Sequence, residues 1–158
     1  MLHILIEKAK RQLSLFDGAE LLFRCPIGLG RSPEGHKQQE GDGRTPEGEY
    51  FVCSRNPQSR FHLSLGLSYP NARDAEAALA EGRISSEQAA RIREAEQLGT
   101  RPPWDTSLGG QIMLHGQRPD APEAVKEDWS AGCIHLRNAD MEQLWQLCPL
   151  GTRVSILP

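Results

Sequence analysis

The residues best suited to chemistry are a histidine and a cysteine, each set beside a glycine. His115 is followed by Gly116, and after fourteen residues, Gly116 through Trp129, comes Ser130–Ala131–Gly132–Cys133. A nucleophilic cysteine needs a base to make thiolate and a pair of donors to hold the oxyanion that its attack creates. Glycine directly before the nucleophile leaves the backbone bare, so that N–H groups can face an incoming carbonyl. On chemistry alone the pair is only suggestive. A Cys and a His in any domain can be paired on paper, and buried structural cysteines outnumber catalytic ones.

For the two to meet, the histidine must end one strand and the cysteine must begin a neighbour. The pattern of the chain supplies both. Residues 2–7 and 11–16 alternate as strands, and Asp17–Gly18 is a hairpin turn leading into a third strand over 19–25. A polar, glycine-rich stretch from Gly28 to Gly48 follows. Its glycines match neither the dinucleotide nor the P-loop pattern, so an exposed connecting loop is expected rather than a nucleotide cradle. Further strands are expected over 50–53 and 61–65. Asn71 is placed to cap a helix from about 72 to 81, and Ser85 with Gln88 resembles a capping box opening a second helix that Gly99 stops. The helical pair reads as a surface insertion or lid, being too short to own a core. Strands then return at 111–116 and 133–136, Asn138 is expected to cap a helix through about 147, and 153–157 closes the chain.

These spaced motifs resemble the L,D-transpeptidase catalytic domain, also called the YkuD domain. The resemblance is carried by His115–Gly116, then Ser130–x–Gly132–Cys133–Ile134, then Asn138–x–Asp140 opening a helix. Thr45–Pro46–Glu47–Gly48 matches an upstream signature, and Phe61–His62–Leu63–Ser64 with Tyr69–Pro70–Asn71 resembles one branch of the family. It spans nearly the whole chain apart from the insertion. It implies a single catalytic domain over 1–158, mostly β with helices (α+β), β-sandwich-like, with a helical insertion or lid at about 71–107 and the site in a groove between sheet and lid.

The resemblance also implies roles. Cys133 would be the nucleophile and His115 its base. The backbone at Gly132 and Cys133 would form the oxyanion hole, and the Ser130 hydroxyl would position the site. The chain departs from the family in having Ala131 where His is common and His135 where Arg is common. Arg137, two residues on, would share the face of His135 if the strand continued, and a guanidinium grips a carboxylate bidentately. The candidate substrate-binding residues are therefore His135, Arg137, His62, Tyr69, Asn71 and Trp129. For Tyr69 and Asn71 simple turn chemistry is an equal reading. Trp104 could also flank the groove, whereas Trp145, Cys25, Cys53 and Cys148 read as packing residues and His3 and His36 as solvated.

The implied substrates are peptidoglycan stem tetrapeptides, cut after the L-centre of the diamino acid. A thioacyl-enzyme at Cys133 resolved by water makes the domain an L,D-carboxypeptidase that removes terminal D-Ala. Resolved by an amine, it makes an L,D-transpeptidase, and an inactive muropeptide-binding module is a third reading. No metal or organic cofactor is implied, because thiolate and imidazole suffice. With a net charge of -3 and scattered Lys and Arg, the chain carries no field for nucleic acid. No stretch approaches the roughly 20 apolar residues of a membrane span. Charge enters within a few residues of Met1, unlike a secretory leader, which predicts a cytoplasmic enzyme acting on soluble muropeptides during recycling, where water is the abundant acceptor; an exported enzyme whose leader has been removed would read the same.

Overall fold

The computed structural model describes residues 1–122, 125 and 127–158. Eight strands and three helices are formed: β1 Leu2–Glu7, β2 Gln12–Asp17, β3 Glu20–Pro26, β4 Gly48–Ser59, β5 His62–Leu67, α1 Ala72–Ala80, α2 Ser86–Leu98, β6 Met113–His115, β7 Ile134–His135, α3 Asn138–Leu147 and β8 Arg153–Leu157. The strands make one sheet in the order β3-β2-β1-β8-β4-β5-β6-β7. Apolar alternation drives the first hairpin, where Ile4 and Ile6 on β1 and Leu13 and Leu15 on β2 are fully buried. Parallel pairing of β8 with β1, Val154 against Ile4 and Ile156 against Ile6, extends that core into the last strand.

The sheet curls rather than lying flat. Strand β4 is long and has register breaks between Val52 and Ser54 and between Asn56 and Ser59, and it pairs with β8 early and with β5 further along. Bulges of this kind bend a strand and raise its twist. The curl is completed at the edges: Gly28 and Gly30, just beyond β3, bridge to His135 and Ser130 at the far end of the sheet. Gly28 and His135 exchange both backbone hydrogen bonds, at 2.9 and 3.0 Å. The sandwich-like, mostly-β expectation is met by a single sheet folded over one core.

The Gly28–Gly48 stretch is consequently an exposed loop only in part. Gly28, Leu29, Gly30, Lys37, Thr45 and Pro46 are all buried. A Cβ at Gly28 would overlap the His135 ring, and one at Gly30 would meet the Gly43 carbonyl and the Gly132 Cα. Glycine here serves close backbone approach, which local composition does not distinguish from turn formation.

Both helices of the insertion start as expected. Asn71 and Ser85 form full capping boxes with Asp74 and Gln88, and Gly99 ends α2 in the left-handed conformation. Ala75 and Ala78 on α1 and Ala89 and Ile92 on α2 are fully buried and join the main core cluster. The pair is a packed flank of the domain. At α3 the expected cap is displaced by one residue: Arg137 occupies the N-cap position without a side-chain capping bond to the helix backbone, and Asn138 is the first helical residue. Its Oδ1 instead accepts the Gln117 N–H at 2.6 Å, so it joins the loop after β6 to α3. No helix of the described residues is long and apolar enough to cross a membrane.

Candidate active site

Strands β6 and β7 run parallel, with Leu114 opposite Ile134 and His115 opposite His135. Because side chains alternate across a strand, Cys133, one step before β7, lies on the same face as His135 and diagonal to His115. Cys133 and His115 line one open cleft of about 770 Å³, together with Phe61, Ser64, Ile112, Met113, Trp129 and Ser130.

The hydrogen bonds of His115 settle which nitrogen can act as a base. Its Nδ1 lies 2.6 Å from the Gly116 carbonyl oxygen, which can only accept, so Nδ1 carries the proton and Nε2 the lone pair. Phe61 stacks on the imidazole at 4.6 Å between centroids, and Trp129 lies at 5.8 Å. This aromatic cover leaves His115 3% exposed, and burial pulls its pKa down from 6.5 to about 4, with the nearby His135 acting in the same direction. A Cβ at Gly116 would overlap Asn138 Oδ1, so only glycine lets the chain turn under the histidine while α3 holds the next residue.

The thiol is likewise neutral at rest. Burial raises the Cys133 pKa above that of a free cysteine, opposed by the Met113 N–H and by the charge of Lys37. Sγ donates to the Gln111 carbonyl and accepts from the Met113 N–H, both at 3.4 Å. Burial thus favours the neutral form of both the thiol and the imidazole.

The turn before Cys133 is held from two sides. Ser130 Oγ donates to the Cys133 carbonyl at 2.6 Å and accepts the Gly132 N–H at 3.1 Å. Ser130 therefore organises the turn before Cys133. The Gly132 N–H, expected to share an oxyanion hole with that of Cys133, is thus engaged by the Ser130 hydroxyl. Gly132 itself has φ +142°, and a Cβ there would sit 2.7 Å from the Arg44 carbonyl. On the other side, the fully buried Thr45 donates to the Gly132 carbonyl at 2.9 Å and accepts the Gly30 N–H at 3.1 Å. Behind it, Lys8 ties the Thr45 carbonyl to Glu47 Oε2 and the Gly35 carbonyl.

Several residues expected to bind substrate sit elsewhere. Tyr69 is 0% exposed and donates to the Leu108 carbonyl, so it is a core residue. Asn71 is the α1 cap and also donates to the Glu49 carbonyl. His62 bonds to Glu142 on α3 at 2.8 Å, outside the cleft lining. His135 is 0% exposed, with Nδ1 paired to Gln117 and Nε2 donating to the Glu127 carbonyl; its ring lies 6.3 Å from that of His115 and 4.9 Å from that of Trp129. The strand ends at His135, so Arg137 does not continue its face. Its Nε donates to Asp140, and its charge is felt by Cys25, whose pKa burial first and Asp140 second push up to about 12 while Arg137 opposes the rise. Trp129 alone of the six candidates lines the cleft, 39% exposed. Trp104 donates to the Tyr69 carbonyl instead, and His36 is held between the Glu47 N–H and Asp74 rather than solvated. None of the helical residues 72–98 lines the cleft, so the insertion is not its lid.

What sequence reading missed is the cleft's charge. Arg31, Lys37, Arg60 and Arg118 line it against Glu40 among the described residues. They come from the 28–48 segment, the β4–β5 turn and the loop after β6, and no motif unites them. Asp128 was also missed. It takes a two-pronged ion pair from Arg11 and accepts the Leu29 N–H, which fixes the loop carrying Trp129.

Fold and site together describe a curled-sheet domain with a cysteine and a histidine on one wall of an open, basic cleft. The chain belongs to the L,D-transpeptidase catalytic domain (YkuD) family, whose model matches residues 2–156. Among solved structures it is similar to the helical cell shape determining protein Pgp2 from Campylobacter jejuni (TM-score 0.66, 21% identity, 98% of this chain and 46% of that one). It is similar also to Bd1075 from Bdellovibrio bacteriovorus (TM-score 0.63, 24% identity, 99% and 47%). A third is L,D-transpeptidase 1 from Mycobacterium tuberculosis (TM-score 0.54, 11% identity, 99% and 61%). At these identities the likeness is one of fold. The chain spans a little under half the length of the first two. No curated protein matches it.

Proposed function

We propose that the domain is a cysteine L,D-carboxypeptidase that removes terminal D-Ala from peptidoglycan stem tetrapeptides through a thioacyl-enzyme at Cys133. The observation that supports the reading is that Cys133 and His115, the latter with its lone pair on Nε2, line one cleft. In the first step the thiol proton turns from the Gln111 carbonyl to His115 Nε2 as sulfur attacks the scissile carbonyl. The oxyanion forms toward the Cys133 N–H. His115 then returns the proton to the departing D-Ala nitrogen, the C–N bond breaks and a thioester remains. Water, deprotonated by the same Nε2, resolves it to a carboxylate and free thiol.

Hydrolysis is the first choice because the thioester would stand in an open, polar cleft where water is by far the most concentrated acceptor. The basic lining supports a second reading, transpeptidation or D-amino acid exchange, since it suits an acceptor bearing its own carboxylate.

The test incubates the chain, and its Cys133→Ala variant, with disaccharide-tetrapeptide, with and without an added D-amino acid, and weighs the products by mass spectrometry. Loss of one alanine by the wild type alone supports the carboxypeptidase. Replacement by the added amino acid supports exchange. If neither product forms, both readings fall.

A further inference from the structure

Lys37 is a buried cation in the wall of the cleft for which the steps above have no use. The residue is 3% exposed, and its side chain lines the cleft that holds Cys133 as well as the groove on the other side of that wall, beside His36 and Asp74. Lysine is rarely buried this far without a partner. The partner here is Asp42, at 3.0 Å, together with the Gln39 carbonyl at 3.2 Å.

Asp42 is itself fixed by the backbone around it. Its Oδ2 accepts the Gln38 and Gln39 N–H groups at 2.8 and 3.1 Å, and its Oδ1 accepts the Arg44 N–H at 3.1 Å beside Lys37. Three backbone N–H groups thus hold the carboxylate in place, and of the ion pair it is Lys37, not Asp42, that lines the cleft. On the Cys133 side there is a matching need. Nothing on β6 supplies a cation, because His115 is neutral at rest, yet attack requires negative charge to build on sulfur and then on the substrate oxygen. The other charged groups facing the cleft are Arg31 and Glu40 from the same segment, Arg60 from the β4–β5 turn and Arg118 from the loop after β6, all on its exposed rim rather than buried.

We infer that Lys37 is a positioning residue that acts through Cys133, as a fixed, buried ammonium that stabilises negative charge on Sγ while Asp42 and its backbone donors hold the lysine in place. The proton leaves Sγ for His115 Nε2, and Lys37 keeps its own protons throughout. The influence of Lys37 on the thiol, which favours the thiolate, agrees with this geometry. The inference rests on the reading of Cys133 as the nucleophile, so it is tested without any peptide substrate.

The experiment follows the rate of iodoacetamide alkylation of Cys133 against pH, in the full chain with Cys25, Cys53 and Cys148 replaced by Ser, with thermal melts to confirm folding. Lys37→Met should move the midpoint of the profile upward and slow alkylation at neutral pH roughly tenfold. Lys37→Arg should restore most of the rate. Asp42→Asn, which removes the opposing charge, should move the midpoint downward. Opposite signs are the signature of charge, because damage to the segment would move both variants the same way. An unchanged midpoint in folded Lys37→Met overturns the inference, as do shifts of one sign in both variants. Should Lys37→Met not fold, the direction of the Asp42→Asn shift decides alone. Failure here with intact turnover of tetrapeptide would remove Lys37 and leave Cys133 as nucleophile.

Discussion

The Thr45 hydroxyl donates to the Gly132 carbonyl at 2.9 Å, joining residues 87 positions apart. Through this bond the first half of the chain holds the turn that presents Cys133, while Ser130 holds the same turn from within. Two hydroxyls therefore grip the peptide units on either side of Gly132, and neither touches the sulfur.

Removing the outer grip should lower stability and rate together. Thr45→Val leaves the buried Gly132 carbonyl and Gly30 N–H short of a partner, at a cost of about 1–3 kcal/mol. Thr45→Ser keeps the hydroxyl and should recover most of the loss. Chemical denaturation of both variants, with turnover measured alongside, checks the pair.

The inner grip should act mainly on the chemical step. Ser130→Ala releases the Gly132 N–H and the Cys133 carbonyl, and the nucleophile drifts from its line of attack. Expected is a fall in kcat of about 10- to 100-fold with little change in KM, since a displacement of the order of an ångström is enough. A change confined to KM in steady-state kinetics would contradict this role.

In the proposed reaction the pKa of His115 sets the acid limit. The ring must be neutral to accept the thiol proton, and burial holds its pKa near about 4. The kcat/KM profile should stay flat from neutral pH down to about pH 5 and fall through about 4, well below the 6.5 of an unburied imidazole. A limb centred between 6 and 7 would show a solvated or salt-bridged base instead.

Stability should follow the same residue with a definite sign. Between the unfolded value of 6.5 and the folded value of about 4, the unfolded chain binds the proton and the folded chain does not. Folding free energy is therefore lost as pH falls through that window, by up to about 3 kcal/mol from this group. His115→Gln should flatten the pH dependence of urea midpoints between 6.5 and 4; an unchanged slope would argue against burial of a neutral ring.

Substrate contacts are expected from the cleft's arginines rather than from the helical flank. Arg60→Ala and Arg118→Ala should raise KM for a carboxylate-rich tetrapeptide several-fold, while Arg137→Ala and His62→Ala leave it within about twofold. Tyr69→Phe and Asn71→Ala should each cost on the order of 1–2 kcal/mol in stability with KM unchanged. A matched set of kinetic and thermal measurements separates the two groups.

The sequence by itself determined what depends on neighbours along the chain. Alternation marked β1 to β3, the Asn71 cap marked α1, the Ser85–Gln88 capping box marked α2, and Gly99 marked the end of α2, because each is decided by local sterics and local hydrogen bonds. The His115–Gly116 and Ser130–x–Gly132–Cys133 motifs were legible through their resemblance to the L,D-transpeptidase family, whose spacing is local even though the pair itself was only suggestive on chemistry. Only the tertiary structure decided which side chains face the cleft. Tyr69 and Asn71 carry groups that could bind a ligand, yet burial in the core and the cap of α1 claimed them. Gly28, Gly30 and Thr45 looked like loop residues until the curl of the sheet pressed them against His135 and Gly132. The cations Arg31, Lys37, Arg60 and Arg118 have no common spacing, and they meet only because three separate segments end at one rim. Long-range closure of this kind is settled by how the whole sheet buries its apolar face, a property no single stretch of sequence contains.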